Sequence, residues 1–508
     1  MSLDSALLVA SGGLANITRQ IAVISNNVAN ASTPDYAREI GTQTSLSAGG
    51  QGYGVFTGPV VREIDLQLQR EVLHQNATVS GLQTRQQALA PVDATQGTPG
   101  AGSDLGSMLG KLQDSFTALQ SDPSSSASQT QVVNAAAALA SKVNALSNAY
   151  ETARQNAQNN TQSGVAGLNT ALSTLSDLTD KIVLAQNQGQ STADLENQRD
   201  VAMQSMSQLV DVSFIQQPNG GLLAATAGGL ALTLRQPAPQ LSQTPTTLGQ
   251  TSFYPGGGVQ PIMVDGADVT RQLTGGALGA NLALRDTTLP GYQAELDEFA
   301  NTLQTRLSGQ GLQLFTTPAA TSTTIVPPPL QTGYVGYAAT IAVNPAVQSD
   351  PALVRDGNVV IAGSPTGPSA FTPNPAGGPA SFNGLISRVL GFSFGTEAQA
   401  GVTQSLPGVA GLGPQGTLAA PYAPPQDLAG FATVLVAAQS ADVGDTTARL
   451  GTETSVQASL QARVTTSSGV STDTELSKMV GLQNAYGANA RVIAASQAMW
   501  TQLLTAVT

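Results

Sequence analysis

The single histidine of this 508-residue sequence, His74, and its lack of cysteine restrict the side-chain chemistry available. His74 is flanked by Gln75 and Asn76. General acid–base work needs a second titratable group within hydrogen-bond reach. None is near in the sequence, so His74 is expected to be a solvated residue on a helix. Metal sites need converging His, Cys or carboxylate ligands at regular spacing, and the sequence offers no such set. Without cysteine there is no disulfide framework and no thiolate ligand. The carboxylate pair Asp297-Glu298 falls in a helical pattern and reads as that helix's wet face. Gly275-Gly276 with Gly279 lacks the Lys-Ser/Thr of a phosphate-binding loop and reads as a turn before a helix. Arg199-Asp200 reads as a local ion pair or a brace to the adjoining β unit. No catalytic residue, metal site or cofactor is predicted. A hydrolase would require a site hidden in the Pro-rich stretch described below.

Other residues carry stronger patterns, and they lie at the two ends of the chain. From Thr472 onward, Leu476, Met479, Tyr486, Ala490, Ile493, Trp500, Leu504 and Val507 are spaced by threes and fours, with Gln483 and Gln497 filling the gaps. This is a heptad seam, which keeps one helix face against a partner. Thr472 and Glu475 fit a capping box at its start. A second apolar row, Val492, Met499 and Leu503, lies off the seam. At the other end, Leu3, Leu7, Ala10, Leu14, Ile17, Ile21, Ile24 and Val28 repeat the heptad spacing. Two such helices predict a pair formed by the termini; the alternative is that each packs separately on a globular core.

Length and composition set further bounds. A chain of this size predicts roughly two to four domains. Charged residues make up only 10%, against about 25% in an average soluble protein, which suggests surfaces covered by other copies. The net charge of -12 disfavours nucleic acid, since phosphate binding needs concentrated Lys and Arg. No unbroken apolar run approaches the ~20 residues of a bilayer span, so no membrane insertion is predicted. The N-terminal stretch lacks the continuous apolar core of a cleaved secretory signal.

The first helix is predicted to end near Asn30, stopped by Thr33, which Pro34 pushes to extended geometry. Ser25-Asn26-Asn27-Val28-Ala29-Asn30 leading to Thr33-Pro34-Asp35-Tyr36 resembles the N-terminal signature of bacterial flagellar axial proteins, the rod, hook and hook-associated family. That signature usually carries glycine where this chain has Asp35. Ser468-Gly469-Val470, Glu475-Leu476, Ala485-Tyr486 and Ala490-Arg491-Val492-Ile493 resemble the same family's C-terminal motif. Asp194-Leu195-Glu196-Asn197-Gln198-Arg199-Asp200, the run Gly275 to Gly279 with Arg285-Asp286 and Leu289-Pro290, and Val343-Asn344-Pro345 resemble the branch found at the hook–filament junction. The resemblance implies a structural protein that is not an enzyme. It implies self-assembly into a short helical ring, with the hook protein on one side and a second junction protein on the other. It also implies type III export without a cleaved signal, to the extracellular flagellum, with a cytoplasmic chaperone holding the C-terminal helix first. Assembly would then rest on Leu3, Leu7, Leu14, Ile17, Ile21, Ile24 and Val28 in the first helix, and on Leu476, Met479, Tyr486, Ala490, Arg491, Ile493, Trp500 and Leu504 in the last. The motif residues are Ser25, Asn26, Asn27, Asn30, Thr33, Pro34 and Tyr36. Alternatives are another axial protein, of hook or rod type, or a secreted adhesin on a helical stalk.

The expected fold class is mainly α with β insertions. A terminal coiled coil is assigned to 1–45 and 465–508. An elongated helical bundle takes 46–211, 275–315 and 426–464, with Gly49 to Pro59 as a loop with short strands, Ala90-Pro91 through Gly102 as a break and Gly164/Gly167 as a kink. A small β subdomain occupies 212–274. A Pro/Gly-rich β outer domain, read as all-β or largely irregular and facing outward, holds more than half of the 28 prolines and occupies 316–425.

Overall fold

The computed structural model describes residues 3–33, 36–48, 51–98, 100–238, 240–321, 325 and 328–507. The motif residue Pro34 lies outside them, as do the side chains of Leu3 and Val507. The chain is mainly helical with β insertions. Helix α1 (Leu3–Ala29) leads into an antiparallel hairpin, β1 (Glu39–Ala48) and β2 (Gln51–Arg62). Then come α2 (Leu66–Gln96), α3 (Leu105–Ser121), α4 (Ser126–Asn187) and α5 (Ala193–Leu209). Strands β3 (Val212–Gln216), β4 (Leu222–Thr226) and β5 (Ala231–Thr233) make one antiparallel sheet. A second is made by β6 (Leu241–Ser242), β7 (Met263–Val264) and β8 (Ala267–Asp268). Helix α6 (Gly276–Ala283) passes through a wide turn at Leu284–Thr288 into α7 (Leu289–Gly309). Four short helices follow: α8 (Tyr337–Thr340), α9 (Pro345–Ser349), α10 (Leu353–Asp356) and α11 (Gly384–Arg388). Two small ribbons pair β9 (Glu397–Gln399) with β10 (Val402–Thr403) and β11 (Ala410–Leu412) with β12 (Leu418–Ala419). The chain closes with α12 (Leu428–Ser468) and α13 (Thr472–Val507).

The helix starts follow from side chains that satisfy free N–H groups. Asp65 caps α2, Asp104 caps α3, Ser125 caps α4 and Asp427 caps α12. The apolar stripe of α3, Leu105, Leu109, Leu112, Phe116 and Leu119, is wholly buried against α4 and α12. Two apolar clusters organise the interior. One gathers parts of α2, α3, α4, α7 and α12 with side chains from the 316–425 stretch. The other gathers parts of α2, α4, α5 and α6 with the inward faces of the small sheets.

Four expectations need correction. The Gly49 to Pro59 region is not a loop with short strands; β1 and β2 run 10 and 12 residues. Glycines hide their alternation, and one of them, Gly58, lets the strands close up, since a Cβ there would meet Thr42 Oγ1 at 2.4 Å. The break expected from Ala90-Pro91 to Gly102 starts later than Pro91: α2 continues to Gln96 and stops at Gly97, at φ 78°. One missing N–H is offset by the burial of Leu89 and Val92 on either side. Gly164 and Gly167 do not interrupt α4, which is continuous over 62 residues. They allow close packing instead: added Cβ atoms would lie 3.1 Å from Leu278 and 3.3 Å from Leu209.

The fourth correction concerns α7 and the 316–425 stretch together. That stretch is mostly irregular, with short helices and two small ribbons, and its Ile341, Val347, Val354, Leu385 and Ile386 enter the bundle's own apolar cluster. Asp297 and Glu298 are not a wet face: they are 1% and 6% exposed. Asp297 accepts from the N–H of Gly336 at 2.7 Å and of Ala338 at 2.9 Å. Glu298 accepts from Tyr334 Oη and from the Gly408 N–H, both at 2.7 Å. Buried Gln331 bridges the Ala294 carbonyl and the Gly413 N–H. An irregular chain has backbone groups that no strand neighbour satisfies, and α7 supplies acceptors for them. Burial pushes the Asp297 carboxyl up to about 7 against the pull of these donors. Burial likewise pushes Glu295, on the α7 face toward Gln439, up to about 7.

Candidate assembly site at the paired termini

Helices α1 and α13 pack along each other and run antiparallel, with Asn27 bonded to Glu475 and Gly13 set against the side chain of Asn489. Of the predicted N-terminal seam, Ala10, Ile17 and Ile24 are buried, Leu14, Ile21 and Val28 are half-buried, and Leu7 is exposed. A second side of α1 holds the hairpin. Asn16 Nδ2 donates to Gln43 Oε1 at 2.7 Å, and Thr57 Oγ1 donates to Asn16 Oδ1 at 3.2 Å.

The last helix is arranged differently from the prediction. Its most buried residues are Glu475 and Ser496, and Leu482, Ala485 and Asn489 on the same side are half-buried. Of the predicted seam, Met479, Ala490 and Ile493 are half-buried and Arg491 beside it is exposed. Leu476, Tyr486, Trp500 and Leu504 are 48%, 45%, 50% and 56% exposed. Val480, Val492, Met499 and Leu503 are exposed as well. The covered side of α13 thus mixes polar and small residues with half-buried Met479, Leu482 and Ile493, while Leu476, Val480, Tyr486, Val492, Met499, Trp500, Leu503 and Leu504 are exposed. By the register of the pair, Trp500 and Leu504 lie beyond the level of Leu3. Contiguous exposed apolar residues of this kind mark an interaction surface.

The motif residues build the base of this pair. Ser25, Asn26 and Thr33 are exposed, and Asn30 forms the turn that ends α1, accepting at its carbonyl from the Thr33 N–H at 2.9 Å. Asn27 is fully buried. Its Nδ2 donates to the Glu39 carbonyl at 2.9 Å and to Glu475 Oε2 at 3.1 Å. Its Oδ1 accepts from the Glu39 N–H at 2.9 Å and from Tyr36 Oη at 3.1 Å. One amide therefore fixes the exit of α1, the entry of β1 and the start of α13. The capping box predicted for Thr472 and Glu475 does not form. Ser471 Oγ accepts from the Thr474 N–H instead, and Glu475 also takes Arg38 Nε at 2.9 Å and Lys478 Nζ at 3.2 Å. Arg38 reaches Glu63 with its other branch, at 2.6 Å.

A second polar knot ties the hairpin root to the bundle. Arg62, its side chain 1% exposed, donates to Glu196 at 2.9 Å, Asn197 at 3.0 Å and Asp200 at 2.6 Å, all on α5. Arg199 and Asp200 thus divide their roles. Asp200 holds Arg62, while Arg199 Nη1 donates to the Gly220 carbonyl at 2.9 Å, bracing the β3–β4 turn. Glu39, 5% exposed, sits in the same knot. Burial and the carboxylate of Asp194 push its carboxyl up to about 7, with Arg62 opposing. Sequence reasoning missed Arg38, Glu39 and Arg62, whose partners are far along the chain. His74, read as solvated, is 68% exposed at its side chain and faces Asp211 at 3.0 Å.

Sequence families match three parts of the chain. Residues 7–36 match the flagella basal body rod protein family, and residues 461–506 match the flagellar basal body rod FlgEFG protein C-terminal family. Between them, residues 92–315 match the family described as flagellar hook-associated protein FlgK helical domain. Over residues 92–315 the chain is similar to the FlgK family of flagellar hook-associated proteins. Flagellar hook-associated protein 1 of Salmonella typhimurium is 27% identical over 256 residues, covering 48% of this chain and 45% of that protein. The Bacillus subtilis protein of the same name is 25% identical over 221 residues, covering 41% and 43%. The chain spans about half the length of the curated relatives it matches. The solved flagellar hook junction protein FlgK from Burkholderia pseudomallei is 23% identical, with a TM-score of 0.42 and coverage of 49% and 47%. The FlgK family is a structural one of the bacterial flagellum.

Proposed function

We propose that this chain is a structural, non-enzymatic subunit that joins the flagellar hook to the filament, and that it assembles into a short helical ring through α1 and α13. The observation that carries this reading is the outward pair of apolar rows on α13, alongside the buried Asn27 hub that fixes α13 to α1. Burying a large apolar side chain stabilises by roughly 1.5–3 kcal/mol. Leu476, Val480, Tyr486, Val492, Met499 and Trp500 give a neighbouring copy ample apolar area to cover. Before export, the same rows are where a cytoplasmic chaperone would bind. The hook protein and the second junction protein are the proposed neighbours along the axis, and export proceeds through the type III apparatus with the N-terminus intact. Among the described residues one helix, Asp4–Ala29, is long and apolar enough to cross a membrane by length and composition. Its buried Asn16 and Asn27, both bonded to the hairpin, favour a packed role instead.

Deletion tests the reading. Cells lacking the chain are expected to bear intact hooks without filaments and to release flagellin into the medium. Complementation with Ile21→Asp or Ile493→Asp is expected to fail, although each variant keeps its bundle. Normal filaments in the deletion strain would sink the proposal.

A further inference from the structure

The ribbon of β1 and β2 has one face on the molecule and one face open. Gln43 and Thr57 are ladder partners, and both bond to Asn16 of α1. Alternation along a strand turns every second residue to the other side, so Ile40, Thr44 and Leu46 face away from α1. Val61 and Phe56 join them there through the pairs Ile40–Val61 and Thr44–Phe56. Ile40, Leu46, Phe56 and Val61 are all exposed, Phe56 most of all at 58%. From Ile40 to Val61 the sequence holds no charged residue. A ribbon that stands in water is usually guarded by charges, bulges or proline. Here Pro59 and two shifts of register blunt the edges, while nothing of the kind guards the outer face. It is therefore the face, not an edge, that is left to be covered.

A second open apolar face lies on α13 at the same height. Asn27 meets Glu475 and Gly13 meets Asn489, so Asn16, the anchor of the ribbon, lies level with Tyr486. Tyr486 and Val492 are exposed there, and after Lys478 the sequence of α13 has Arg491 as its one charge. Since both faces remain exposed, neither covers the other within one chain. Two different faces that suit each other give a head-to-tail contact, which repeats from copy to copy and closes into a ring or continues as a helix. The four large side chains of the ribbon are far fewer than the roughly 20–30 residues a side of a self-sufficient interface. The ribbon face thus suits one contact among several in a repeating assembly better than a free-standing dimer.

We propose that the outer face of the β1–β2 ribbon docks α13 of a second copy of this chain, with Phe56 set against the stretch from Tyr486 to Val492 of its neighbour. The inference deepens the reading of the termini as the assembling part and rests on it. It adds a direction: each copy offers its ribbon to one neighbour and its α13 to the other.

Because the sequence has no cysteine, introduced thiols are unique. Full-length Phe56→Cys and Tyr486→Cys chains are co-expressed in the deletion strain and treated with a short thiol-to-thiol crosslinker. Both positions are exposed, so neither change removes a core contact. Leu46→Cys with Val492→Cys is the second pair, also at exposed positions. A covalent dimer is expected from a mixture and only monomer from any variant expressed alone. Adding Ile40→Asp to the ribbon partner is expected to lower the dimer yield at least tenfold. Monomer alone from both mixtures would overturn the proposal, as would a dimer from a single variant, which would put like against like. Filament formation in the deletion strain is scored separately. Lost filaments without a mixed dimer would sink the ribbon contact and leave the junction reading standing; a mixed dimer with normal filaments would do the reverse.

Discussion

Replacing Asn27 with alanine is expected to unfasten the terminal pair while leaving the bundle intact. The side chain is fully buried and makes four hydrogen bonds, two at Glu39's backbone, one with Tyr36 and one with Glu475. Glu475 keeps Arg38 and Lys478, and Tyr36 is only half-buried, so both retain other partners or water. The Glu39 N–H and C=O lose the partners that face α1 in a buried place. A buried polar group left unsatisfied costs about 1–3 kcal/mol. Two such groups give about 2–6 kcal/mol, minus whatever water recovers at the joint. Amide exchange read by mass spectrometry is the assay, because a local opening need not move the global melt. Protection in 36–41 and 472–480 is expected to fall by roughly 30-fold or more, the equivalent of about 2 kcal/mol. Protection in α3 and the centre of α4 is expected to stay as it was. Asn27→Asp is the sharper control. It keeps the Oδ1 acceptor but sets a carboxylate against Glu475, so it should also open the joint, and less so at low pH. Unchanged protection in both segments of Asn27→Ala would refute the assignment of this amide as the hub.

Three further outcomes are expected. Arg62→Met should cost about 3–5 kcal/mol, the usual result of stranding buried charge partners, and should loosen α5 by amide exchange; a change under 1 kcal/mol in urea melts would argue against the knot. Asp297 and Glu295 carry folded values near 7, above their ordinary 3.8 and 4.5. A folded value raised above the unfolded one means that stability falls as pH rises between the two and is flat above the higher one; urea melts from pH 5 to pH 8 should therefore show declining stability, and the slope should be shallower in Glu295→Gln. Gly276 sits at φ 60°, with the Leu209 backbone 2.5 Å from where a Cβ would lie; Gly276→Ala is expected to destabilise the second apolar cluster by several kcal/mol, roughly the upper end for point substitutions, and an unchanged midpoint would contradict that crowding.

Much of the helical architecture was legible because one face of each helix is buried and its spacing says so. Leu105, Leu109, Leu112, Phe116 and Leu119 are the clearest case, since the period alone names the residues that end up buried. The terminal motifs were legible in a different way, through resemblance, and Asn27 emerged from them without its role. What stayed hidden depends on partners far along the chain. Asp297 and Glu298 look like surface residues to any periodicity argument; only the arrival of Gly336, Ala338, Tyr334 and Gly408 makes them interior. The 316–425 stretch defeats pattern reading for the matching reason, because side chains on α7 rather than strand neighbours satisfy its backbone. On α13 the heptad picks out large residues that the structure leaves mostly exposed, because Glu475, Ala485, Asn489 and Ser496, with Met479, Leu482 and Ile493 half-buried, take the more covered side.

Helix α4 has a mechanical meaning. At about 1.5 Å per residue, its 62 residues extend for roughly 90 Å, and it contributes Leu139, Leu146 and Tyr150 to one apolar cluster and Leu168, Leu172 and Leu175 to the other. Helix α2 threads the same two clusters with Leu89 and Leu73. Neither interior can dissolve without taking a shared beam with it. The body should therefore melt as a single cooperative block, and a torque applied at either end should travel its full length as rotation rather than be absorbed by a soft middle.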